Sequence, residues 1–270
     1  MRIAIDHKLS VTLPAGTSQA VFHLLLTPPS GPMQTVDSWS VEMPGIGNAG
    51  RFSDGFGNTA HLVNQAKVEG EIVIQVSGEV TTRDTHGVLG RPPGEPVPAL
   101  YRRVTALTKA PVPLYAKYRN AKESRLDVLH ALMARVGETL GLPEEPEETS
   151  TQMQADGGQT QSQGEAPTET ALPPASDYAH LFIGAARGLD IPARFVTGYR
   201  LVDGAADGLH SWAEAFDEGL GWIGFDPSLQ VCPTANYVRL AVGLDAEMAP
   251  ALRTVPVVEI TQAAKVVALD

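Results

Sequence analysis

The stretch from Pro174 to Pro227 constrains the fold more than any other part of the chain. Within it Tyr178, Leu181, Phe182, Ala185, Ala186 and Leu189 recur at helical spacing, which draws one apolar stripe along a helix. Ser176 or Asp177 is expected to cap its first turn after Pro173 and Pro174, and Gly188 with Pro192 supplies a stop, so the helix is predicted over about 176–188. Ala193–Leu201 is rich in β-branched and aromatic residues, and His210–Phe216 alternates large or polar side chains with small ones, so both read as strands. Asp217–Gly221 supplies turn chemistry, and Trp222–Asp226 is a third strand that Pro227 ends. His210 opens one strand and Asp226 closes its hairpin neighbour, so an antiparallel pair lays the two side by side. A histidine oriented by a carboxylate is what a thiol or hydroxyl nucleophile needs, because the carboxylate fixes the imidazole tautomer and stabilises the imidazolium.

Ahead of this block, residues 2–82 run as short β-rich segments, Arg2–Leu13, Gln19–Thr27, Val36–Met43, Thr59–Gln65 and Glu71–Thr81, separated by turn residues. That rhythm predicts an antiparallel β-sandwich, with Asp54–Asn58 as a tight turn. Residues 87–113 are rich in Pro and Gly, carry one helical patch near Leu100–Leu107, and read as a crossing between domains. Leu126, Leu129, Leu132, Met133, Val136 and Leu140 share a helical face, and Ser124 with Asp127 makes a capping-box-like start. Residues 143–174 are poor in aromatic and β-branched residues and rich in Glu, Gln, Thr, Gly and Pro; the tract is expected to be disordered and to be cut first in limited proteolysis. After Asp226, Gln230–Val242 and Val255–Val267 are β-rich runs expected to complete the sheet. The fold expected is α+β, with a sandwich domain over 1–85 and a second domain over 86–270.

The blocks ASDYAHLFIGAARGLDIPARFVTGYR, HSWAEAF and GLGWIGFDPS resemble the bacterial transglutaminase-like superfamily, which has a cysteine-protease-like fold. FHLLLTP, Gln34, DGFGN and Glu79-Val80-Thr81 are similar to the small β domain that precedes its catalytic domain. The resemblance implies that His210 is the catalytic histidine, Asp226 its carboxylate, and Ala175 the position of the nucleophilic cysteine. The family's Gly-Val-Cys-Gln is here Pro173-Pro174-Ala175-Ser176, a departure wider than one residue, and the polar tract replaces structure that leads into the cysteine in the family. Trp212, His180, Asp177 and Tyr199 are the candidates to line the cleft. Near Tyr237–Asp245 the family's His-Ile and Gly-Arg-Asp-Tyr elements are weakened.

The net charge of −11 is mostly local: residues 144–174 hold seven acids and no Lys or Arg, which leaves −4 for the rest. No basic stripe suits nucleic acid. Cys232, the one cysteine, allows no intrachain disulfide, and no apolar run approaches the ~20 residues that span a bilayer. The charged MRIAIDHK start does not read as a secretory signal, and the expected location is cytoplasmic. No cofactor or metal is expected, since Asp177, His180 and His210 lack metal-ligand spacing. Three functions remain open: a pseudoenzyme that binds a peptide or protein in its cleft, an active amidohydrolase or transglutaminase using Ser176 or Cys232 (or one inactivated by a Cys-to-Ala exchange), and a structural subunit that makes contact through its sandwich. The oligomeric state is not legible.

Overall fold

The computed structural model describes residues 1–66, 70–142, 172–202 and 208–269. Six strands come first: β1 (Arg2–Thr12), β2 (Gln19–Thr27), β3 (Gln34–Glu42), β4 (Gly50–Ser53), β5 (Thr59–Ala66) and β6 (Glu71–Thr82). Alternation turns one face of the longer strands inward, most plainly in β1, where Ile3, Ile5, His7, Leu9 and Val11 are buried. Next come β7 (Val88–Gly90), α1 (Val112–Tyr115), α2 (Arg125–Leu140) and α3 (Ala175–Gly188). The last strands are β8 (Ala193–Arg200), β9 (His210–Asp217), β10 (Gly221–Phe225), β11 (Tyr237–Gly243), β12 (Leu252–Val255) and β13 (Ile260–Ala268). In place of the helical patch expected near Leu100–Leu107 there is a single 3₁₀ turn at Pro98–Arg102. The tract at 143–174 lies, as far as residue 171, outside the described residues.

Two four-stranded sheets, ordered β13-β1-β6-β3 and β12-β2-β5-β4, share a core that includes Ile3, Leu9, Phe22, Leu24, Ile74 and Val76. The third sheet, β11-β8-β9-β10-β7, has antiparallel neighbours throughout. Only β11 completes it. Against expectation, β12 pairs with β2 and β13 with β1, so the end of the chain returns to the sandwich. β-rich composition says that a run will pair, and the open edges of β1 and β2 decide with what.

α2 and α3 cover one face of the third sheet with Leu129, Leu132, Phe182, Ile183, Phe195, Ala213, Ala215 and Phe225 in a common core. Ser124 caps α2, its hydroxyl accepting the Asp127 N–H at 3.2 Å. α3 begins one residue earlier than expected, at Ala175, and its N-cap is Pro174 with no side-chain cap bond. Pro174 suits that extended position because its ring fixes φ, while Ser176 and Asp177 fall inside the first turn.

The sandwich grips the third sheet through two carboxamides. Gln34 donates from Nε2 to the Arg239 carbonyl (2.8 Å) and accepts the Arg239 N–H at Oε1 (2.7 Å). Asn58 does the same to Val242, with both bonds at 2.8 Å. β11 is an edge strand, and these side chains satisfy backbone groups that a neighbouring strand would otherwise take. Gln34→Ala is therefore expected to cost about 1–3 kcal/mol in urea unfolding, because it strands a donor and an acceptor that are largely shielded from water.

Candidate active-site cleft

Period two puts His210, Trp212 and Glu214 of β9 on one face, opposite Gly198, Val196 and Arg194 of β8. Ala213 and Ala215 point the other way, into the core shared with α3. The functional side chains thus stand on the face that the helices leave open. Gly198 is needed there: a Cβ would come within 2.5 Å of the Trp212 ring and 2.2 Å of the Val238 carbonyl.

His210 Nε2 donates to Asp226 Oδ2 at 2.6 Å. The same oxygen accepts from the Tyr237 hydroxyl at 2.8 Å, and Oδ1 accepts from the Ser228 hydroxyl (2.6 Å) and N–H (3.1 Å). Burial alone would raise the Asp226 carboxyl, but the hydrogen bond and charge of His210, with Ser228 and Tyr237, hold it below the ordinary carboxylate range. Burial and the neighbouring Asp226 charge push the Tyr237 phenol up, so its proton stays in place to be donated. With Nε2 committed to the carboxylate, Nδ1 is the nitrogen of the 18% exposed His210 ring that remains to face a nucleophile. Trp212 stacks beside the ring, with centroids 6.3 Å apart, and Tyr237 meets Trp212 edge-on at 5.3 Å.

Beyond Trp212 this face carries four buried or half-buried charges. Arg194 donates to Glu214 from Nε (2.6 Å) and to Glu95 from Nη1 (2.8 Å) and Nη2 (3.3 Å), and Arg239 pairs with Glu95 (3.0 Å) and Glu214 (3.1 Å). The Arg194 guanidinium lies 3.9 Å from the Trp222 ring centroid.

Two cleft candidates stand elsewhere. His180 is buried, stacks on Phe195 with centroids 4.9 Å apart, and accepts the Ala246 N–H at Nε2 (3.1 Å); burial lowers its pKa, so it is a neutral core residue. His180 is not one of the residues of the apolar stripe, but α3 is enclosed by chain on its side as well, as at Gly184, where a Cβ would fall 2.4 Å from the Thr108 carbonyl. Tyr199 is fully buried in the sandwich-side core and bonds His7 Nδ1 through its hydroxyl at 3.0 Å, which removes it from the cleft. Asp177 is exposed in the first turn of α3. Among the described residues no group of three or more His, Cys, Asp or Glu is placed to hold a metal. Cys232 is half-buried, with its sulfur 3.6 Å from His130 Nε2, and burial pushes the thiol up.

Tyr237 and Ser228 escaped the sequence reading. Ser228 had a signal, since Asp-x-Ser places a hydroxyl and an N–H where an aspartate accepts them two residues on. Tyr237 had none, because it reaches Asp226 from a strand eleven residues later.

Residues 3–81 match the bacterial transglutaminase-like N-terminal region, and residues 150–227 match the core of the transglutaminase-like superfamily. The chain is thus a transglutaminase-like domain protein with a β-rich N-terminal region. Over 79 residues it is 33% identical to an uncharacterized protein of Mycobacterium leprae (strain TN), a match that covers 26% of this chain and 26% of that protein. Its fold is similar to the crystal structure of a candidate cysteine protease from Cytophaga hutchinsonii, with a TM-score of 0.68, 20% identity, and coverage of 100% of this chain and 91% of that one. The periplasmic domain of TgpA from Pseudomonas aeruginosa aligns with a TM-score of 0.34, 16% identity, and coverage of 82% and 73%.

Proposed function

We propose that this protein is a transglutaminase-like pseudoenzyme, a scaffold whose cleft binds a peptide or protein without transforming it. The observation that carries the reading is that Ala175, with no nucleophilic atom, is the first residue of α3, while the His210–Asp226 pair stands at 2.6 Å with its supporting bonds. Removing the nucleophile of a well-studied serine protease costs about 10⁶ in kcat, roughly 8 kcal/mol of transition-state stabilisation, which a surviving His and Asp do not replace. In this reading the protein uses no cofactor or metal, has no nucleic-acid or membrane partner, and works in the cytoplasm.

The competing reading is an enzyme that cleaves or transfers protein amide bonds through Ser176 or Cys232. The Cys232 sulfur sits against His130 rather than His210, in surroundings that disfavour a thiolate. The experiment is amine incorporation into, and hydrolysis of, a glutamine-containing protein by the unmodified chain and by Ser176→Ala and Cys232→Ser. No turnover above buffer is expected from any of them. Turnover by the unmodified chain that either substitution abolishes would overturn the pseudoenzyme reading.

A further inference from the structure

Next to the His–Asp pair the structure holds a cavity of about 100 Å³, between the Pro29–Gln34 segment of the sandwich, the Pro92–Glu95 segment, and a floor of Trp212, Glu214, Tyr237 and Arg239. Resting on the reading of the cleft as a peptide scaffold, we propose that this cavity is a side-chain subsite. It takes one compact, uncharged apolar residue, of leucine or proline size, from an extended peptide that crosses His210.

Charge excludes the alternatives. The ionic groups of the cavity wall are already matched to one another: Glu95 and Glu214 each pair with both Arg194 and Arg239. A lysine or aspartate side chain would enter a site with no charge left to meet it, and desolvating an unpaired charge is costly. Of the remaining lining, Gln34 spends its carboxamide on the Pro29 carbonyl and the Arg239 backbone and the Ser30 hydroxyl accepts the Val36 N–H, while Gly31, Met33, Leu89 and five prolines offer no polar side chain. Size limits the guest, since an apolar cavity of about 150 Å³ holds benzene, so one of about 100 Å³ suits a branched aliphatic group or a pyrrolidine ring rather than an indole.

Position ties the cavity to the dyad. Trp212 lines it and also stacks beside His210 at 6.3 Å, and Tyr237 lines it while bonding Asp226. An extended chain rises about 3.3 Å per residue. The 6.3 Å between the Trp212 and His210 rings is therefore spanned by about two residues of extended chain.

The test is an NMR titration of the ¹⁵N-labelled, methionine-methyl-labelled protein with N-acetyl N-methylamides of leucine, proline, lysine, aspartate and phenylalanine. Leucine and proline are expected to move the Trp212 indole and Met33 methyl signals with at least tenfold higher affinity than lysine or aspartate. Met33→Ala, which widens the cavity at a half-buried and adaptable side chain, is expected to turn the preference toward phenylalanine. Equal response to the charged probes, no response of Trp212 and Met33, or an unchanged preference in Met33→Ala would overturn the proposal. A blocked Gly-Gly-Leu-Gly-Gly peptide separates the two readings. Movement of the His210 ring signals without Trp212 and Met33 defeats the subsite and leaves the scaffold standing, whereas no movement at any of them defeats both.

Discussion

Arg194→Met is expected to destabilise the protein by about 3–5 kcal/mol in urea unfolding, the range for breaking a buried ion pair from one side. Arg194 is fully buried, as is its partner Glu214 at 1% exposure, so the substitution leaves a carboxylate with little water and one remaining contact, to Arg239. Burial alone would ease the proton off Arg194, yet Glu214 and Glu95 hold it on more firmly than in water. The loss is large against the 5–15 kcal/mol typical of a domain. Arg194→Lys keeps the charge but not the fork that spans Glu214 and Glu95, and is expected to recover only part of it. Adding Glu214→Leu to Arg194→Met removes the stranded charge and is expected to restore stability relative to the single variant. A single-variant loss under about 1 kcal/mol, the size of a surface pair, would mean that the network is solvated and does not fix the cleft wall.

That network was invisible in the sequence although its neighbours were not. Arg194 and Glu214 lie in blocks that read clearly as strands, but nothing in their spacing says that they face each other, and Glu95 comes from a Pro-rich crossing with no periodicity to place it. The His210–Asp226 pair was legible because a hairpin brings both ends together: β10 folds back on β9 with Phe225 opposite Ala213, which sets Asp226 level with Trp212, two residues from His210. The sandwich strands were legible from alternation, except β4, whose four residues are all exposed and so carry no pattern. Long-range partners were not. β1 pairs with β13 across almost the whole chain, and Tyr199, read as a cleft residue, turned out to face His7 because β8 spans both cores. His180 was misplaced for a related reason: a helical stripe marks the more apolar face but cannot tell that chain also covers the other one.

Ala175→Cys is expected to create a thiol far more acidic than any the protein now has. The position is the first residue of a fourteen-residue helix with no side-chain cap, where unsatisfied N–H groups and the helix dipole favour a thiolate. In the pseudoenzyme reading position 175 faces the Nδ1 side of His210, and a proton taken up there supplies a second favourable charge, since thiols at helix N-termini or beside a histidinium titrate at about 3.5–7.5 rather than about 8.5. Near pH 6 the gain in thiolate fraction outweighs the lower nucleophilicity of a weaker base, and alkylation is expected to run about tenfold faster than for an ordinary thiol. Full turnover is not expected to follow, because Pro174 has no backbone N–H to offer beside the nucleophile. The decisive measurement is the pH profile of iodoacetamide alkylation at position 175 in a Cys232→Ser background, with and without His210→Ala. A midpoint below about 7 that climbs by at least one unit when His210 is removed is the result expected of a catalytic cleft that has lost its nucleophile and kept its dyad. A midpoint near that of a free thiol, or one indifferent to His210, would contradict it.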